Sequence, residues 1–115
     1  MWVCVETGSG WIPYVLEQLD DRWWRNRSWL PVKLKHPPST YYHRNWRSTF
    51  MIDHYAVRNR HVLGVENLMW STDYPHHGCD WPETRRVVEE MFRDVADDER
   101  QKMCAGNAVA LYGLG

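Results

Sequence analysis

The sequence predicts an α/β protein built on parallel strands. Three short runs have β-strand composition: WVCVE at 2–6, NWRSTFMID at 45–53 and VENLMWS at 65–71. Patterns of helical periodicity follow each of them, so the predicted order is β-α-β-α-β-α-α. Strands that alternate with helices are typical of parallel β/α units, and we expect the segments 2–6, 45–52 and 66–71 to pair in parallel. The first run is wholly apolar up to Glu6, as in strands covered on both faces.

The first helix is predicted over residues 10–29, after the first strand. Its apolar residues recur at helical spacing, and they are Ile12, Val15, Leu16, Leu19 and Trp23. Ser9 is the predicted N-cap, and Pro13 fits the first turn. Residues 30–40 contain three prolines and are predicted to be irregular.

The sequence also predicts where the later helices begin and end. A short helix over 54–64 is expected to end at Gly64, whose flexible backbone suits a helix terminus. Residues 81–96 predict an amphipathic helix with Pro82 in its first turn. Its apolar face is formed by Val87, Val88, Met91, Phe92 and Val95. A further helix is expected to begin near Asp97 and to break at Gly106-Asn107.

The composition limits the possible functions. A length of 115 residues corresponds to one domain, and the net charge of −1 with a pI near 6.6 argues against a nucleic-acid partner. No apolar run is long enough for a membrane span, and no signal peptide is visible, so we expect no membrane partner and a cytoplasmic location. Three scattered cysteines predict free thiols.

Eight tryptophans are an unusual load for a chain of this length. Their large apolar surfaces require packing partners, so either they form an aromatic core or more protein surrounds them. We expect the tryptophans to lie in the core and not to form a platform for substrate. An oligomer would also bury them.

Polar residues follow all three predicted strands. Since ligands of β/α folds bind at the carboxyl ends of the strands, these residues are the candidate site. They are Glu6 after the first strand, Asp53 and His54 after the second, and Asp73 and His76 after the third. An acid at every strand end favours a site at this edge of the sheet.

Each candidate also has a structural interpretation. Asp73 lies in STDYP and could bind turn amides, while Glu6 could pair with Arg44 or Arg47, and His54 could cap or pack. His76 and His77 could be solvated in a Pro/Gly turn. Cys79 has no cysteine neighbour, which argues against a closed zinc site.

Several motifs together resemble a known family. Three of them are MWSTDYPH, DWPET and DDERQKMCAGNAVALYGL. They resemble the last strand and closing helices of the amidohydrolase-related family, which includes aminocarboxymuconate-semialdehyde decarboxylase. A subgroup of this family also has segments that resemble ETGSGWIPYVLEQLDDRW and PPSTYYHRN. The resemblance implies that residues 1–115 form a single partial domain, namely about three β/α units at the C-terminal end of a TIM (β/α)8 barrel.

The resemblance also implies roles. The family's last-strand aspartate binds a divalent metal such as Zn or Mn, or acts as a base beside the metal-bound water, and it corresponds to Asp73. The sequence lacks the family's H-x-H metal ligands, and ETGSG stands where many members have a histidine, so Glu6 replaces an imidazole contact or faces substrate. We therefore expect no metal, or only weak Mg²⁺ or Ca²⁺ binding, in this chain.

Three hypotheses follow. The chain is the C-terminal segment of a metal-dependent hydrolase or decarboxylase acting on a small carboxylated or cyclic substrate, inactive alone. Alternatively, it is a free-standing interaction module that forms homo-oligomers through an exposed strand edge. A third possibility is a small metal-binding domain that uses His76, His77, Cys79 and Asp80.

Overall fold

The fold is a three-stranded parallel sheet with helices, and a computed structural model describes it for residues 1–115. The strands are β1 (Trp2–Cys4), β2 (Trp46–Phe50) and β3 (Leu68–Trp70), in the order β1-β2-β3. Cys4 pairs with Ser48, and Ser48 pairs in turn with Leu68. The predicted parallel pairing is therefore confirmed, and the three carboxyl ends lie at one edge of the sheet.

Seven α-helices connect and flank the strands. They are α1 (Ile12–Asn26), α2 (Pro38–Asn45), α3 (His54–Arg58), α4 (Arg60–Leu63), α5 (Thr84–Met91), α6 (Asp97–Gln101) and α7 (Asn107–Tyr112). A 3₁₀ turn, Val65–Asn67, precedes β3, and a π-helical segment, Lys102–Gly106, joins α6 to α7. None of the helices combines the length and apolar character that crossing a membrane requires.

The hydrophobic core lies between one face of the sheet and the helices. Alternate strand residues share a face, so Ser48, Phe50 and Leu68 point toward the helices. The core comprises Ile12, Leu16, Tyr42, Phe50, Ala56, Val57, Leu63, Val65, Leu68, Met91, Phe92 and Met103. The core packs against the helix-facing side of the sheet, and the polar residues after the strand ends are not part of it.

Several predicted boundaries are wrong. Each strand is shorter than expected, because loop residues at its ends turn away from the ladder. The helix predicted over 54–64 is two helices, and that over 81–96 spans only Thr84–Met91. Residues 38–40 belong to α2, where Pro38 occupies the first turn. Gly106-Asn107 does not break the last helix, since the π segment carries the backbone through it.

The predicted cap at Ser9 is also wrong. Trp11 precedes α1 without a side-chain cap, and Pro13 lies in the first turn as expected. Ser9 is buried, and its hydroxyl lies 2.8 Å from that of Ser48. A buried hydroxyl needs a hydrogen-bond partner, and the neighbouring strand provides it.

The tryptophans do not form the core. None of the eight is fully buried, and Trp2, Trp11, Trp24, Trp29 and Trp81 are exposed. The first strand likewise lacks the expected cover, with Trp2 71% exposed and Val5 58% exposed. The reason is that β1 is an edge strand with a neighbouring strand on one side only.

Candidate functional site

The loop after β1 carries Glu6 in a strained conformation. Glu6 has φ of 60°, a left-handed value that costs a residue with a Cβ roughly 1–2 kcal/mol. Its backbone N–H donates to the hydroxyl of Thr49 on the neighbouring strand at 3.1 Å. The ion pairs with Arg44 or Arg47 do not form, since those side chains bond to Asn45 and to the carbonyl of Trp46. The Glu6 carboxylate therefore remains available at the strand ends.

The carboxylate of Asp53 holds the same loop from β2. One oxygen accepts the backbone N–H groups of Ser9 and Gly10, at 2.7 and 2.8 Å. The other accepts the N–H of Ala56 at 2.8 Å and caps α3. These three bonds use both oxygens, and they make Asp53 a residue that positions the loop. His54 is the exposed first residue of α3.

Asp73 is the second acid with left-handed backbone. It has φ of 57° and follows β3 by three residues. Its carboxylate lies 3.2 Å from Nδ1 of His76, and Gly78 donates its N–H to that same nitrogen at 3.2 Å. The side chain of Asp73 is 19% exposed, whereas that of His76 is 56% exposed. The turn therefore fixes a largely shielded carboxylate beside an accessible imidazole.

A cavity of about 180 Å³ lies at the carboxyl ends of the strands. Its lining includes Glu6, Asp53, Thr49, Ser71 and Gly78. Glu6 and Asp53 thus share one cavity, and Asp73 lies outside its lining. Thr49 and Ser71 were not predicted as site residues, although their position beside the ends of β2 and β3 is a signal that could have found them.

The proposed histidine–cysteine cluster does not assemble. The rings of His76 and His77 lie 4.1 Å apart, but no group of three His, Cys, Asp or Glu side chains converges where it could hold a metal. Asp80 is buried and accepts the hydroxyl of Thr84 at 2.8 Å. Since zinc needs at least three protein ligands, the residues of this chain alone do not fit such a metal centre.

A parallel sheet with acids after its strand ends is the architecture of a β/α-barrel enzyme. Comparison with protein families agrees, because the amidohydrolase family model matches residues 2–114. The chain belongs to the amidohydrolase family, whose members are generally metal-dependent. No curated protein matches its sequence.

Solved structures give the same fold. The chain is similar to 5-carboxyvanillate decarboxylase LigW from Sphingomonas paucimobilis, with a TM-score of 0.75 and 29% identity over 90% of this chain. It is also similar to 2,6-dihydroxybenzoate decarboxylase from Rhizobium, with a TM-score of 0.68, 20% identity and 97% of this chain covered. A complex of a 2,6-dihydroxybenzoate decarboxylase with 2,6-dihydroxybenzoate gives a TM-score of 0.67 and 20% identity over 97% of this chain.

The chain spans about a third of these decarboxylases, 31% of the first and 34% of the other two. Its three strands correspond to the C-terminal part of a TIM barrel, as the sequence predicted. A sheet of three strands cannot close into a barrel.

Proposed function

We propose that the chain is a single partial domain supplying the last three β/α units of a metal-dependent decarboxylase. The observation that carries this proposal is the conformation of Asp73. A shielded carboxylate in a left-handed turn, directly after a barrel-type strand, is costly for folding alone. Strain of this kind is concentrated at functional sites, where the geometry it fixes is used.

The substrate class that we infer is a small carboxylated ring. Support comes from the likeness to 5-carboxyvanillate decarboxylase at 29% identity. Decarboxylation of a hydroxylated aromatic acid is therefore our first choice of reaction, and hydrolysis of a cyclic substrate is the alternative. No nucleic-acid partner is expected, because the net charge is −1.

Asp73 is the residue that we propose as metal ligand. Its carboxylate suits Zn²⁺ or Mn²⁺ as one donor among several, and the other donors would come from strands that this chain does not contain. His76 would contact substrate from the open side of the turn, beside the Asp73 carboxylate 3.2 Å away. The chain alone offers an incomplete set of ligands, so we expect it to be inactive by itself.

Glu6 and Asp53 would have different tasks. Glu6 lines the cavity and is bound through its backbone only, so its carboxylate can face substrate. Asp53 would keep Glu6 in place indirectly, since it holds Ser9 and Gly10 of the same loop. His54 is exposed beside Asp53 and is a candidate for substrate contact at the outer edge.

The test is an activity assay with added Zn²⁺ or Mn²⁺ and 5-carboxyvanillate. It compares the isolated chain with a complete barrel in which these residues supply the last three units. We expect no turnover from the chain alone. In the complete barrel, Asp73→Asn should lower kcat at least 10²-fold without unfolding the protein, because the amide loses the charge that binds metal.

The matched control is Asp94→Asn, which alters an exposed carboxylate without an ion pair and should leave kcat unchanged. Metal-dependent turnover by the isolated chain, abolished by Asp73→Asn, would contradict the proposal. It would mean that the DYPHHGCD turn contains a complete site.

A second candidate is a free-standing module that forms homo-oligomers. It is favoured by the uncovered edge of β1 and by an apolar groove of about 330 Å³ beside it, lined by Trp2, Trp11, Leu16, Tyr41 and Trp46 among others. Open strand edges pair readily with other chains. Sedimentation showing a compact monomer at high micromolar concentration would exclude this candidate.

A further inference from the structure

Residues 22–36, the basic segment, form an unusual surface at the end of α1 and in the loop beyond it. They contain five arginines and lysines and no acidic residue. Only Arg25 pairs with a carboxylate, that of Asp21 at 2.9 Å. The four other cationic side chains, Arg22, Arg27, Lys33 and Lys35, form no ion pair. A concentration of unpaired positive charge on a chain of net charge −1 attracts partners that carry negative charge.

The basic segment also exposes apolar surface. Trp24 is 60% exposed and Trp29 is 69% exposed, and the guanidinium of Arg27 lies 3.4 Å from the ring centre of Trp24. Val32 and Leu34 are exposed in the same loop. Tryptophan and arginine are the residues most enriched at the energetic centres of protein interfaces. The composition therefore fits a protein partner that carries acidic groups.

The chain itself carries the complementary surface. Residues 89–98, the acidic segment, contain five acids and one arginine. Only Glu90 among these acids forms an ion pair, with Arg86 at 2.9 Å. Glu89, Asp94, Asp97 and Asp98 are exposed and unpaired. The acidic segment thus carries four unpaired acids and the unpaired Arg93, and the basic segment carries four unpaired cations.

The two segments belong to different connections of the fold. The basic segment belongs to the connection from β1 to β2, and the acidic segment follows β3 at the other edge of the sheet. The molecule is elongated, 53 Å by 29 Å by 28 Å, and no ion pair joins the segments within it. Neither segment is neutralised by the other within the chain, so both are available to a second molecule.

We propose that the basic segment of one copy of this chain binds the acidic segment of a second copy, head to tail. Such a heterologous contact extends into chains or closes into rings. An anionic lipid surface or a nucleic acid would match the basic segment but would leave the acidic segment unpaired. A second copy satisfies both segments at once. This inference does not rest on the proposed enzymatic function.

The test is a charge-swap experiment read by sedimentation velocity. One variant is Lys33→Glu with Lys35→Glu, and the other is Glu89→Lys with Asp94→Lys, all at exposed positions. Each variant alone should self-associate at least tenfold more weakly than the wild-type chain. An equimolar mixture should recover a complex, because one wild-type pair of segments is present in it. The control Arg58→Glu reverses an exposed charge outside both segments and should associate like wild type.

Salt gives an independent readout. Raising NaCl from 0.05 to 0.5 M should weaken wild-type association, because screening shortens the range of charge interactions. A monomer at high micromolar concentration would overturn the proposal. Association that changes with neither salt nor charge reversal would also overturn it, and would indicate pairing through the edge of β1. Binding to phosphatidylserine vesicles without self-association would also overturn it. Circular dichroism of each variant verifies that it is folded.

Discussion

The carboxylate of Asp53 accepts the backbone N–H of Ser9 at 2.7 Å, across 44 residues of sequence. This bond, with those to Gly10 and Ala56, joins the loop after β1 to the start of α3. Glu6 lies in that loop, so the conformation of one acid of the candidate site depends on the other.

Asp53→Ala should therefore lower the free energy of unfolding by more than the loss of a helix N-cap alone. An N-cap is worth about 0.5–2 kcal/mol and a bond to a charged group about 1.5–3 kcal/mol, so we expect a loss of roughly 2–4 kcal/mol. Urea denaturation measures it. Glu17→Ala, at an exposed carboxylate without an ion pair, should change the free energy of unfolding by no more than about 0.5 kcal/mol. An equal effect of both changes would contradict the positioning role of Asp53.

Substitutions of Asn107 should lower the free energy of unfolding strongly. Its buried amide donates to the carbonyls of Val65 and Leu68, both at 2.7 Å, and so ties α7 to the start of β3. Asn107→Ala removes both bonds, although the carbonyl of Val65 still accepts the N–H of Leu68, and should cost about 1–3 kcal/mol. Asn107→Asp should cost at least as much, because a carboxylate has no proton to donate and repels the carbonyls. A smaller loss with Asp than with Ala in urea denaturation would contradict this geometry.

Glu99 should make stability depend on pH. Hydrogen bonds from Arg60 and then His61, both at 2.6 Å, lower the pKa of its carboxyl from the ordinary value of 4.5. A lowered folded-state pKa gives stability that is fully present above about pH 4.5 and is lost as pH falls through the folded value. The stability difference between wild type and Glu99→Gln should thus shrink between pH 7 and pH 3. Glu17→Gln, at an exposed unpaired acid, should show no such trend.

Alanine substitutions at two glycines should change the free energy of unfolding in opposite directions. A Cβ on Gly10 would lie 2.6 Å from an oxygen of Asp53 and 2.7 Å from Cβ of Tyr55, so Gly10→Ala should cost about 1–3 kcal/mol through overpacking. A Cβ on Gly106 would meet only the carbonyl of Gln101 at 3.6 Å, and the residue is helical. Gly106→Ala should stabilise by about 0.4–1 kcal/mol. Thermal unfolding of the two variants side by side compares them.

Asp73→Gly should stabilise the isolated chain, because glycine adopts φ of 57° without the steric cost that Asp73 bears. We expect a gain of about 0.5–1 kcal/mol in chemical denaturation. Asp73→Ala keeps the Cβ and therefore its steric cost at this φ, so it should give no such gain. In a complete barrel, both variants should be inactive. A loss of stability with glycine would argue that Asp73 is retained for the fold.

Much of the architecture was determined by the sequence alone. Three β-type runs separated by helical periodicity predicted parallel pairing, because a β-α-β crossover usually returns the chain to the sheet in the same direction. This order also placed Glu6, Asp53 and Asp73 after carboxyl ends of strands. The family motifs around STDYPH and GNAVALY identified the amidohydrolase family, which the match over residues 2–114 confirms.

Only the tertiary structure decided how those acids are used. The partners of Asp53 lie up to 44 residues away, Ser9 pairs with Ser48 across 39 residues, and Asp73 faces His76 through a left-handed turn. No local pattern encodes these contacts, since they arise from the register of neighbouring strands. The same holds for the tryptophans: their apolarity predicted burial, but whether a side chain is buried depends on which elements surround it. For Trp2, Trp24 and Trp29, no element of this chain does so.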